Sequence, residues 1–409
     1  MQRTVPCLIR IFMFYVLVSL IFFLSLSPPC AEAALTPNEV SQAKEAISSS
    51  EGWPNNFSQY REGLTEKYGT EFAFLLNFTQ QAIVRDTNSQ GKSRGVGYVN
   101  LEIKQCLWPG AAVFLEVESD RGMGIDKFIP TYSIFNSNSG EDIDIYIPEF
   151  YLEQNLFADK ISASFGKLDL SDWFDANIAA ESADTQFLSS SLVNNLAIPF
   201  PAKGLGGLVS FMPYEWVYFQ TGAATARASS TKTGLSDGFN STFFINEMGL
   251  SPKVGDLKGN YRLIFYLNHE KLERLDQEGE KKDTVGYALS FDQEVTKRIT
   301  LFFRYGNADE KIWDIEHFWS LGFQIVEPFP GRKLDFLGFG VARSVMGNDY
   351  RSANEEIASI GETMYEIYYS YNLNSLISLT PSFQIVANPN ADKTAKTAVV
   401  LGMRFLLSF

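Results

Sequence analysis

Along most of this chain apolar and polar positions alternate with a period of two. Tyr261, Leu263, Phe265 and Leu267 stand against Arg262, Ile264, Tyr266 and Asn268, and Ile299, Leu301, Phe303 and Tyr305 against Thr300, Phe302, Arg304 and Gly306. Successive strand side chains point to opposite faces, so each stretch reads as a β-strand with one apolar face and one mixed face. The pattern begins at Glu71 and recurs through Tyr98–Lys104, Val113–Glu118, Val285–Asp292, Trp319–Val326, Met364–Tyr371 and Leu379–Ile385. It continues to the last residue: Val399, Leu401, Met403, Phe405, Leu407 and Phe409 oppose Ala398, Val400, Gly402, Arg404, Leu406 and Ser408. About sixteen such segments of roughly ten residues fit between Glu71 and Phe409. Polar turn material such as Glu278–Asp283 and Met346–Tyr350 separates them. Ahead of them, Thr36 to about Ser48 and Pro54 to about Tyr68 carry helical spacing.

A sheet that is apolar on one side and carries glycine, serine and charge on the other has two solutions. In a soluble sandwich or barrel the apolar face is the core. In a membrane barrel it meets lipid, and the mixed face lines the interior. The even number of long strands, the small residues and mixed charges suited to a water-filled interior, and the apolar pattern at the chain end favour the second. The fold class expected is all-β: a transmembrane antiparallel β-barrel of about sixteen strands with short N-terminal helical segments. Aromatics at strand ends (Tyr214, Trp216 and Tyr218; Tyr365, Tyr369 and Tyr371) suit an interfacial girdle. Composition agrees, since 34 Phe and 18 Tyr coexist with near-neutral mean hydropathy.

The first 33 residues read as a secretory signal peptide: Arg3 and Arg10, an apolar run from Ile11 to Leu26, and Ala31-Glu32-Ala33 before the cut. The expected organisation is 1–33 signal peptide, 34–70 a periplasmic or lumenal helical segment, and 71–409 an outer-membrane barrel. Cleavage removes two basic residues and one acidic one, taking the net charge from −14 to about −15. That balance argues against a nucleic-acid partner. It also removes Cys7 and Cys30, so a mature chain holding Cys106 alone is expected to have no internal disulfide.

At Phe165–Asp175 (FGKLDLSDWFD), with Thr185–Leu188 and Val193–Pro199, the sequence resembles the carbohydrate-selective porins of the OprB family. Further matches are Gly63-Leu64, Tyr68-Gly69, Gly331–Gly338, Glu362–Tyr369 and Pro381–Pro389, so the likeness covers nearly all of the chain after the leader. Near its start the family often carries a tryptophan-glycine-glycine-arginine stretch, which Trp53-Pro54-Asn55-Asn56 and Arg61 only loosely echo. The resemblance implies a sixteen-stranded barrel in a Gram-negative outer membrane that passes sugars.

Candidate solute contacts lie in the stretch from Asp169 to Asn195: Asp169, Asp172, Trp173, Asp175, Gln186, Asn194 and Asn195. Carboxylates and amides exchange hydrogen bonds with vicinal hydroxyls, and an indole face stacks on a sugar ring. Folded into the lumen, the stretch would replace a sugar's hydration weakly, as conduction requires. The alternative is a polar rim connection, and calcium at Asp169, Asp172 and Asp175 lacks the glycine and distal glutamate of an EF-hand loop. Inward-facing charges are mixed: Lys104, Arg262, Arg304 and Arg404 against Glu102, Glu116, Glu118, Asp292 and Glu366. Opposed rows would set a transverse field that orients neutral solutes, unless they simply pair across strands. His269 and His317 are the only histidines, neither beside a Gly-x-Ser-x-Gly motif, and no metal, cofactor or nucleotide site is visible. Phe405, Leu407 and Phe409 are expected to be an assembly signal for the barrel-insertion machinery, with lipid around the outer face. The function expected is passive diffusion of small hydrophilic solutes, carbohydrates first. The alternatives are a general or differently selective porin, or a barrel enzyme.

Overall fold

The computed structural model describes residues 53–140, 142–232 and 241–409. The proposed leader and the Thr36–Ser48 segment lie outside them. Helix α1 (Trp53–Tyr68) runs into the first strand through Gly69, whose φ of 64° permits the sharp change of direction. Among the described residues, besides three two-residue strands at Lys253–Val254, Leu272–Glu273 and Glu280–Lys281, sixteen long strands follow. They are β1 (Thr70–Arg85), β2 (Ser93–Trp108), β3 (Ala111–Arg121), β4 (Phe150–Leu156), β5 (Ile161–Leu168), β6 (Gly204–Tyr214), β7 (Val217–Thr225) and β8 (Thr242–Leu250). The second half holds β9 (Leu257–Asn268), β10 (Thr284–Glu294), β11 (Ile299–Asn307), β12 (Ile315–Val326), β13 (Phe336–Met346), β14 (Gly361–Asn372), β15 (Ile377–Ala387) and β16 (Ala398–Ser408).

Each strand pairs antiparallel with the next, and β16 returns to β1 in a register from Leu75↔Ser408 to Arg85↔Val399. The sheet is therefore closed and leaves no edge to template another chain. Phe409 extends the seam: its N–H and carbonyl bond the Phe74 backbone at 3.0 and 2.8 Å, and the two rings stack 5.0 Å apart.

The alternation separates the two faces as the pattern requires. On β9, Leu263 and Phe265 are exposed, while Arg262, Ile264, Tyr266 and Asn268 are buried. On β16, Leu401 and Met403 point out, while Val400, Arg404 and Leu406 are buried. Tyr214 and Trp216 are exposed and stack 5.9 Å apart, and Tyr365 and Tyr371 are exposed on β14. Tyr218 departs from the girdle, because it sits on the inner face and its hydroxyl donates to Glu247 at 2.6 Å.

The connections differ at the two ends of the barrel. Near α1 and Phe409 several are tight turns, at 109–110, 157–160, 215–216, 295–298 and 373–376. At the opposite end lie longer ones, among them 122–149, 169–203, 269–283 and 347–360. β4 and β5 are short, and at Leu168 the chain leaves the wall and turns inward.

That turn corrects the expectation of a water-filled interior. The connections 122–149 and 169–203 fold into the barrel and build an apolar core with the wall. Phe135, Phe187 and Leu192 pack with Phe302, Phe318 and Tyr368, and Leu170 and Phe174 pack with Leu208, Phe243 and Tyr266. The Phe187 ring meets Tyr368 edge-on at 4.9 Å. Two wall glycines make room: a Cβ on Gly222 would stand 2.9 Å from Phe174, and one on Gly340 would stand 2.7 Å from Leu192.

Candidate functional site: an inward-folded segment and the lumen it leaves

The segment 169–203 is held by charged side chains of the wall acting on its backbone. Arg304, on β11, donates to the carbonyls of Ala180, Asp175 and Leu192 at 2.6, 3.0 and 3.1 Å, and its Nε lies 3.0 Å from the Asp175 carboxylate. Arg404, on β16, donates to the carbonyls of Ala183 and Gln186 at 2.6 and 3.1 Å. Both arginines are 0% exposed. A guanidinium suits this task because its planar fork reaches several acceptors at once. Acids of the wall serve the opposite polarity. Glu366 accepts from the N–H groups of Leu188 and Ser189 at 2.7 and 2.9 Å, and Glu247 from that of Asp175 at 2.9 Å.

The segment 122–149 is anchored in the same way. Glu362 accepts from the N–H groups of Tyr132, Ser133 and Asn390 at 3.2, 2.7 and 2.7 Å. Gln81 and Gln384 donate to the Phe135 carbonyl at 3.3 and 2.8 Å. The two segments also bind each other, through Ser137 N–H to the Leu188 carbonyl at 2.8 Å and Ser189 Oγ to the Ser133 carbonyl at 2.9 Å.

These contacts relocate much of the expected solute-contact set. Asp175, Gln186 and Asn195 are buried and shape the segment itself. Gln186 Oε1 accepts from the N–H groups of Glu181 and Ser182 at 2.7 and 3.1 Å. The Asn195 N–H donates to the Asp175 carboxylate at 3.0 Å, and its side chain donates to the Tyr305 carbonyl at 2.9 Å. Asn194 is half-buried and closes the single turn α2 (Ser190–Val193) by donating to the Ser190 carbonyl. Trp173 is half-buried, its ring edge-on to Tyr151 at 6.0 Å and its carbonyl accepting from Gln220 at 2.6 Å. Arg262 pairs with Asp292 at 2.8 Å, both buried. The expected opposed rows are corrected here: Arg304, Arg404, Asp292 and Glu366 are buried with loop backbone in place of water as a partner, and Arg262 is buried against Asp292 and the Tyr218 hydroxyl on the wall.

Solvent still reaches inward side chains along β2 and β3 and the facing edge of the segment. Asn100, Glu102, Lys104 and Glu118 are partly exposed, as is Asp169, and Asp172 and Glu181 are exposed. Glu116, also expected here, is buried and receives the Lys203 ammonium at 2.9 Å. Lys203 also reaches Glu149 at 3.3 Å, and Lys104 reaches Glu153 at 3.2 Å. The carboxylates of Glu149, Asp169 and Asp172 lie within 4.8 Å of one another. Asp175 stands apart from them with Arg304, so the proposed calcium set is divided, and Lys203 brings a positive charge to the remainder.

Enclosure by protein and the neighbouring Asp169 push the Asp172 carboxyl up to about 7, although it still touches solvent. Enclosure by the surrounding protein raises Glu181 to about 7 against the pull of Arg304 and Arg262, although it too still touches solvent, and burial raises Asp175 to about 6 against Arg304. Burial alone would lower Lys203, but Glu149 and Glu116 outweigh it and hold the ammonium well above its ordinary range. The histidines stand at the long-loop end: His269 contacts Asp283, and His317 lies 3.0 Å from the Tyr305 hydroxyl.

The sequence pattern missed Glu247, Glu362, Gln81, Gln384, Lys203 and Glu149 as parts of this site. A signal was present in the loops themselves. Ile125, Ile129 and Phe135, and Phe174, Phe187, Leu192 and Val193, are too apolar for connections that face water.

A closed sixteen-stranded barrel, lipid-compatible outside and narrowed by an inward-folded loop, is the architecture of an outer-membrane porin. The chain belongs to the carbohydrate-selective porin, OprB family, whose profile matches residues 99–409. It is similar to Porin AaxA of Chlamydia abortus, 23% identical over 246 residues covering 60% of this chain and 53% of that one. It is likewise similar to Porin B of Pseudomonas aeruginosa, 21% identical over 312 residues covering 64% and 68%. The chain spans about half the length of the chlamydial porins it matches. Among solved structures, Pseudomonas putida OprB at high pH superposes with a TM-score of 0.76 at 20% identity, covering 89% of this chain and 100% of that one.

Proposed function

We propose that this protein is a passive outer-membrane channel for small hydrophilic solutes, neutral sugars foremost, and that it performs no covalent chemistry. The observation that carries this reading is the inserted segment 169–203. It packs beneath β6 to β16 and leaves solvent contact to Asn100, Glu102, Lys104 and Glu118 on β2 and β3 and to Asp169, Asp172 and Glu181 on its own facing edge. Those groups accept from and donate to hydroxyls at a cost comparable to water, so a sugar can exchange hydration for lining without being held. Family membership supports the same reading.

In this account residues 1–33 are cleaved on export, 34–70 stay on the short-turn side as a periplasmic or lumenal helical segment, and 71–409 form the barrel. The short turns face the periplasm and the long connections the exterior, as is usual for such barrels. Lipid covers the outer face, and Phe405, Leu407 and Phe409 engage the barrel-insertion machinery. Purified protein in a planar bilayer should give discrete current steps that molar glucose reduces reversibly. An absence of steps, or steps that glucose leaves untouched, would overturn the proposal.

A further inference from the structure

We infer that the passage excludes anions and admits neutral or amine-bearing hydroxylated solutes. This rests on the channel reading above and adds the charge of the solute to it. Inward charges look balanced in the sequence, but the fold sorts them. The arginines are spent where no solute passes: Arg262 faces Asp292 at 2.8 Å, Arg304 faces Asp175 at 3.0 Å, and Arg404 faces loop carbonyls, all three buried. The inward groups that keep solvent contact in the remaining lumen are mainly carboxylates: Glu102, Glu118, Asp169, Asp172 and Glu181. The lysines beside them, Lys104 and Lys203, each face further carboxylates, Glu153 for one and Glu116 with Glu149 for the other.

A narrow lumen with low-dielectric walls focuses the field of its lining, so the sign of the net charge decides which ions enter. Carboxylates are also acceptors only. Hydroxyls and ammonium groups bring donors to them, whereas a carboxylate or phosphate solute brings more acceptors and a like charge.

The test uses the full-length protein in lipid at pH 8. Reversal potentials across a KCl gradient give one readout, and proteoliposome swelling in isosmotic glucosamine, glucose and gluconate gives a second. The expected result is roughly threefold or greater preference for potassium over chloride, with gluconate slower than glucose by a similar factor. In the wild type this preference should shrink in 1 M KCl, where screening is about 3 Å. Glu118→Gln with Glu181→Gln should move both ratios towards one. A potassium-to-chloride ratio at or below one, or gluconate entering as fast as glucose, overturns the inference while leaving the channel intact. No current and no swelling with any solute overturns the channel reading and this inference with it.

Discussion

Arg304 places a permanent charge where its partners are the carbonyls of Asp175, Ala180 and Leu192 and one carboxylate. Removing one member of a buried pair typically costs about 3–5 kcal/mol, because the other charge stays buried. Arg304→Ala should therefore free the segment and raise single-channel conductance, with Arg304→Lys in between, since an ammonium cannot span all the acceptors. Unchanged conductance in the folded alanine variant would deny the anchoring role. The acids of the segment set a pH dependence with a definite sign. Asp172, Asp175 and Glu181 sit near 7, 6 and 7 when inserted, and would return towards about 4 in water. Insertion thus takes up protons: it is most favourable below about pH 4 and weakens as pH rises through the inserted values. Trp173 fluorescence, read against a Trp173→Phe background, should report release of the segment at higher urea at pH 5 than at pH 8. The reverse order would contradict the sign.

At the scale of elements, the strands were legible, while for the stretch from Asp169 to Asn195 the sequence left a lumenal fold and a rim connection both open, and the period-two pattern gave no sign that 122–149 folds inward. A strand of the wall needs only period two, and β9 and β16 display it in unbroken apolar outer rows, Tyr261 to Leu267 and Val399 to Leu407. The seam partner of β16 was not legible, because register depends on residues more than 300 positions away, such as Phe78 opposite Phe405. The Asp, Asn and Ser residues between Asp169 and Asn195 suit a solute-contacting lining and a rim connection equally. The fold of the segment 169–203 is set by Phe174, Phe187 and Leu192, spaced without helix or strand period, and by wall arginines assigned in advance to an open pore. Tyr218 fails the girdle for a related reason: strand ends predict depth in the membrane, and parity decides the face. Phe409 closes the β16–β1 seam by stacking on Phe74. Phe409→Asp should cut the yield of folded, heat-modifiable barrel in the outer membrane several-fold, while the molecules that do insert conduct normally. Normal yield would show that the terminal ring is dispensable to assembly.

At the scale of the whole molecule, a rigid wall carries an immobilised filler, and the space between them sets what passes. Rigidity follows from the number of independent anchors, on β8, β11, β14 and β16 for one segment and on β1, β14 and β15 for the other. A fixed aperture discriminates by size without a gate. Proteoliposome swelling in a series of neutral sugars, from monosaccharide to trisaccharide, tests this most directly. The monosaccharide should enter, and the rate should fall steeply with each added ring. Equal rates across the series, or no swelling with any of them, would contradict it.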